Sequence, residues 1–154
     1  MINPAWRPIG HAKVPAKPEG LWTMVVQHVA GPRLLRISVR DKDEAGATVA
    51  VKWKFTPTEQ CTANGQLRNT ACSNALITTA PCGSLIGKVG GGTADMPEAQ
   101  GAYSGRKVFT VGTYCVVTLA SADSGAVFLT MNDAPENFKD HDLELHVFIE
   151  EAPV

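Results

Sequence analysis

The chain has 154 residues, with 14 Lys plus Arg against 15 Asp plus Glu, a length that suits one domain able to bury a continuous core without cross-links. Charges of both signs are interspersed, which argues against a broad basic footprint for nucleic acid or an anionic membrane. No stretch approaches the roughly 20 apolar residues of a membrane span, and residues 1–17 hold no apolar run of signal-peptide length. The expected location is therefore cytoplasmic, or outside the cell by a route that uses no classical signal peptide.

Residues 1–20 carry Pro4, Pro8, Pro15 and Pro18, which lack the N–H groups that a ladder needs and favour an extended arm outside the folded domain. Trp6 lies between two of these prolines and would anchor such an arm in the groove of a protein partner or of a second copy. A disordered leader is the competing reading. The domain proper is expected over 21–154.

From Leu21 the chain becomes a series of short β-type runs: 21–29, 34–39, 48–55, 84–89, 107–111, 114–120, 126–131 and 143–150. Leu35, Ile37 and Val39 alternate with Arg36, Ser38 and Arg40, the period of a half-buried strand. Val49, Val51, Trp53 and Phe55 repeat the pattern and are expected inward. Turn formers separate the runs, at Gly31-Pro32, Gly90-Gly91-Gly92, Asp123-Ser124-Gly125 and Asn132-Asp133. About eight short strands joined by turns predict an all-β sandwich or barrel. The single helical candidate, 70–79, is short and rich in β-branched and polar residues, and competes with a loop.

The cysteines Cys61, Cys72, Cys82 and Cys115 are separated by 10, 9 and 32 residues, too far for the paired spacing of a zinc site. Two readings stay open for them: a Cys61–Cys72 disulfide closing the polar segment between, or separate reduced thiols with Cys115 as a small core residue. Gly87 and Gly90–Gly92 lack the Lys-Ser/Thr and the helix of a phosphate loop, so a Gly-rich hairpin turn is expected there. His11, His28, His141 and His146 stand near no nucleophile elbow, and no enzyme is expected.

The C-terminal stretch reads as strand, acidic loop, strand. An apolar run ends at Asn132-Asp133, an oxygen-rich loop follows, and Leu143, Leu145, Val147 and Ile149 resume the alternation. Asp133, Asn137, Asp140 and Asp142 supply the carboxylate and amide oxygens that calcium prefers. A solvated hairpin loop whose Asp and Asn are turn residues is the alternative.

The run from Leu76 through Pro81-Cys82-Gly83-Ser84-Leu85 to Lys88-Val89-Gly90, with the Asn132-Asp133 loop and the final alternating strand, resembles the LecA-type galactophilic lectins of bacteria. That resemblance, over roughly residues 21–150, implies a jelly-roll-like β-sandwich (galactose-binding-like) whose rim loop holds calcium and a sugar. By the same resemblance the calcium residues are Asp133, Asn137 and Asp140, and the sugar-binding residues are Asn74, Asp133, Asn137, Asp140 and His141. Tyr103 or Phe138 would stack on the sugar ring. His141 stands where the family has an amide oxygen, and imidazole is a poor ligand for a hard cation. Two functions follow as expectations: a carbohydrate-binding lectin-like module, or a structural or assembly subunit that has lost its sugar site and contacts a partner through the arm.

Overall fold

A computed structural model of the chain describes residues 5–66, 74–96 and 106–154. Among the described residues ten strands run in order: β1 (Arg7–Pro15), β2 (Thr23–Ala30), β3 (Arg33–Arg40), β4 (Lys52–Thr56), β5 (Glu59–Thr62), β6 (Leu85–Val89), β7 (Lys107–Thr110), β8 (Tyr114–Leu119), β9 (Ser124–Met131) and β10 (Glu144–Ala152). One sheet has the order β1-β10-β3-β8 and the other β2-β9-β6-β7, while β4 and β5 form a separate hairpin. Every pairing is antiparallel. The all-β sandwich expected from the alternating runs is the observed architecture.

Alternation decides what each strand buries. Leu145, Val147 and Ile149 of β10 and Leu35 and Ile37 of β3 are fully buried, and they meet Leu85 of β6 and Val127 and Leu129 of β9 across the sandwich. Trp53 and Phe55 on β4 close one end of this core. The inward pattern expected over 48–55 holds only for that aromatic pair. Val51 is 41% exposed, because β4 begins at Lys52 and the residues before it form a loop.

Two strands were not foreseen. β5 is too short to show a period. β1 occupies the stretch expected as an arm outside the domain: Arg7–Pro15 is the edge strand beside β10, and Val14 and Ala16 are fully buried. Proline is tolerated there because an edge strand needs only half of its N–H groups for the ladder, and a bulge between Pro8 and Gly10 absorbs the irregularity. Trp6 lies against the same sheet, with the Arg36 guanidinium 4.2 Å from its ring centre. Of the short helix weighed against a loop for 70–79, residues 74–79 form no helix, and 70–73 lie outside the described residues. Among the described residues no helix is long and apolar enough to cross a membrane.

Candidate functional site

The rim between β9 and β10 is built on Asn132, which is fully buried. Its Nδ2 donates to Ile77 O (2.8 Å) and Ala80 O (3.0 Å), and its Oδ1 accepts from Ile77 N–H (2.9 Å). One carboxamide thus serves three backbone groups of the 77–80 turn. Leu76 N–H adds a bond to Asp133 O (3.2 Å). Asn74, in the left-handed region at φ 59°, is thereby held on the exposed side of the same rim.

Asp133 is 6% exposed and sits at the centre. Its Oδ1 accepts from Ala134 N–H (2.7 Å) and from Asn137 Nδ2 (3.1 Å), and its Oδ2 lies 2.9 Å from His141 Nε2. The other ring nitrogen of His141, Nδ1, lies 2.9 Å from Ala16 O, just beyond β1. Nδ1 thus faces a backbone carbonyl, an acceptor only, and Nε2 faces the carboxylate, so both ring nitrogens are engaged. Burial alone would raise the Asp133 carboxyl; the bonds from His141, Asn137 and Ala134 outweigh it and hold the group below its usual range. A 3-10 helix over Pro135–Asp140 carries Asn137 back over Asp133 and buries Phe138, whose ring centre is 4.6 Å from that of His141.

The five residues expected at the site thus separate into two layers. Asp133 and His141 form its buried floor, and Asn74, Asn137 and Asp140 lie exposed above or beside it. Phe138, expected to stack on a sugar, is 6% exposed and packs on His141 instead. Tyr103 lies outside the described residues.

The donor set does not fit a hard cation. Calcium takes several oxygens, whereas Asp133 is met by the N–H groups of Ala134 and Asn137 and by a ring nitrogen of His141. Asn137, facing a carboxylate, presents its nitrogen. Asp140 and Asp142 are exposed, and Asp142 Oδ1 accepts from Leu143 N–H (2.8 Å). Among the described residues no group of three or more His, Cys, Asp or Glu side chains is placed to hold a metal.

The cysteines follow the second expected reading at Cys61 and at Cys115, which is free and packs against the core, and depart from it at Cys82. Cys61 and Cys115 are free, so no Cys61–Cys72 bridge exists, while Cys82 is disulfide-bonded and its sulfur lies 4.0 Å from Asp133 Oδ1. Cys72 lies outside the described residues. Cys61 points from β5 into the core toward Gly83 O, and burial pushes its thiol up to about 11; burial does the same for Cys115.

A second buried charge cluster was not anticipated. Lys88 on β6 has no exposed side-chain surface, and its Nζ donates to Gly92 O and Asp95 Oδ2, both at 2.7 Å. The ammonium also lies 4.6 Å from the Phe128 ring centre and 5.2 Å from that of Trp22. The glycine run, expected as a hairpin turn, opens the connection between the antiparallel neighbours β6 and β7, and it also closes over this ammonium. A Cβ at Gly91 would collide with the Asp95 carboxylate, so the missing side chain is what lets the loop close. The partner residues come from the turn itself, which shows no spacing that marks them, and Ala16 contributes to the rim only a carbonyl. Neither contribution carries a sequence signal.

No protein-family model matches the chain, and neither does any curated protein.

Proposed function

We propose that the protein is a non-catalytic, lectin-like carbohydrate-binding module whose binding rim is formed by the 74–77 turn and the 132–142 loop. The observation that supports this most is the joining of these two segments through Asn132 and Asp133. They are the segments that the lectin resemblance assigns to sugar contact, and they are distant in sequence. Exposed Asn74, Asn137 and Asp140 offer amide and carboxylate groups for vicinal hydroxyls, and such polar groups on a rigid base can recognise sugar while water fills the remaining contacts. Asp133 and His141 act beneath them as positioning residues.

The resemblance also implies calcium and a galactose-type preference. A calcium ion would have to displace His141 and turn Asn137, so the sugar contact proposed is independent of the metal. The alternative, an assembly subunit reaching a partner through its N-terminal arm, has less support now that Arg7–Pro15 is a strand and Trp6 lies under Arg36.

A glycan array probed with the full chain, in calcium and in chelator, tests the proposal. Binding to a defined set of terminal sugars in both conditions, weakened by Asn137→Ala and Asp140→Ala, is expected. No binding in either condition would overturn the carbohydrate reading, and binding lost in chelator would restore the metal.

A further inference from the structure

The two four-stranded sheets have four edges, and three are guarded against pairing with another chain. β1 carries Pro8, Pro15, Lys13 and a bulge; β2 is interrupted by two register shifts; β7 is four residues long and begins with a lysine. Proline, charge, bulges and shortness are the devices that keep an edge from templating a partner strand. β8 has none of them. Tyr-Cys-Val-Val-Thr-Leu is uncharged and free of proline and glycine, and it pairs with β3 in unbroken register from Arg33↔Leu119 to Ser38↔Tyr114.

The phase of that ladder shows what the free edge presents. Val39 N–H donates to Thr113 O (2.9 Å), so by antiparallel alternation the backbones of residues 113, 115, 117 and 119 bond to β3. Those of Tyr114, Val116 and Thr118 point away from it. Among the described residues nothing pairs with them. The amides that flank these three in the same phase are closed, Gly112 N–H by Leu85 O and Ala120 N–H by Asp123 Oδ2 (3.1 and 2.8 Å). The open part of the edge is therefore a three-residue ladder with its ends capped. Tyr114 and Val116 are 57% and 47% exposed beside it.

We propose that β8 pairs antiparallel with β8 of a second copy of this chain, joining the two β1-β10-β3-β8 sheets into one continuous sheet. A two-fold axis at Val116 places it opposite the partner's Val116, and Tyr114 opposite the partner's Thr118. All three pairings are then of the hydrogen-bonded kind, about six backbone bonds, and side chains keep their faces. The choice of a second copy follows from charge and symmetry. A strand without charge meets no repulsion from itself, and an edge whose open donors and acceptors are centred on one residue is self-complementary under a two-fold.

Light scattering behind a sizing column, run on the full chain over a range of concentrations, reads the mass directly. The expected result is twice the 16.4 kDa of the chain, falling to one chain for Val116→Lys with an unchanged far-UV spectrum. Met24→Lys, on the bulged edge β2, should stay dimeric. Amide exchange of the unmodified chain gives an independent reading: Tyr114, Val116 and Thr118 should be slowed on the order of a hundredfold at high concentration and lose that protection on dilution. A single-chain mass at every concentration, a dimer that survives Val116→Lys, or fast exchange of these three amides throughout would each overturn the proposal. The exchange measurement decides the matter even if the lysine variant fails to fold.

Discussion

The two buried charge clusters, Lys88–Asp95 and His141–Asp133, solve the same problem with opposite geometry. Around Lys88 the cation is at the centre and oxygens converge on it, with aromatic rings near its ammonium. Around Asp133 the anion is at the centre and N–H groups converge on it. The first closes a glycine loop onto the strand that precedes it. The second ties segments from opposite ends of the chain, since His141 bonds both Asp133 and Ala16. In each cluster the chain itself supplies the groups that meet the buried charge.

The largest effect is expected from removing the distant end of the second cluster. Deleting residues 1–18 takes away β1, the buried Val14 and Ala16, and the carbonyl that His141 meets; the truncated chain should lose its cooperative thermal transition. A truncated chain that melts as sharply as the full one would show that β1 is dispensable. Next come single substitutions at the two centres. Lys88→Ala leaves Gly92 O without its donor, leaves Asp95 with only Arg106 and Gly92 N–H, and opens space beside Trp22 and Phe128, at a cost of about 3 kcal/mol. Asp133→Ala leaves the buried His141 Nε2, Asn137 Nδ2 and Ala134 N–H without their shared partner, at about 2 kcal/mol. Asp140→Ala, at an exposed position, should change stability by about 0.5 kcal/mol or less. Denaturant unfolding checks the order, and equal costs for Asp133→Ala and Asp140→Ala would reduce the loop to a simple turn.

A smaller effect is shared by the two clusters and depends on pH. Asp133 and Asp95 are both held below their ordinary range: burial raises each, but hydrogen bonds and neighbouring cations outweigh it. The unfolded chain thus binds more protons than the folded one in acid, so stability rises with pH there. The contribution is complete above the unfolded value of about 4 and drains away as pH falls through the folded value. Melting temperature against pH should flatten in this acid window for Asp133→Asn and for Asp95→Asn, and an unchanged slope in both would remove these carboxylates from the account.

What the sequence disclosed follows the range of each interaction. The strands containing Leu35, Ile37, Leu145 and Val147 were legible because a two-residue period is local and one face of each is buried. β1 was not, since prolines argue against a strand unless it lies at an edge, and edge position is a property of the whole sheet. At the rim, Asp133, Asn137 and His141 stood out as polar residues between apolar runs. Their direction did not, because oxygen-rich spacing describes equally well a loop that turns carboxylates toward an ion and one that turns Asp133 inward to a histidine. Lys88 lay in a legible strand, and its burial depends on a turn whose Asp95 no spacing marks. The bonded state of Cys82 was equally hidden, because cysteine spacing alone does not fix pairing.

The central claim, that His141 rather than a metal ion balances Asp133, is tested most directly by the melting temperature of the unmodified chain in millimolar calcium and in chelator. An ion that bound the folded loop at a hundredfold excess over its dissociation constant would add about 2.7 kcal/mol of stability. The expected result is the same melting temperature in both solutions. A clear rise in calcium, reversed by chelation, would contradict the account and return Asp133, Asn137 and Asp140 to the role of ligands.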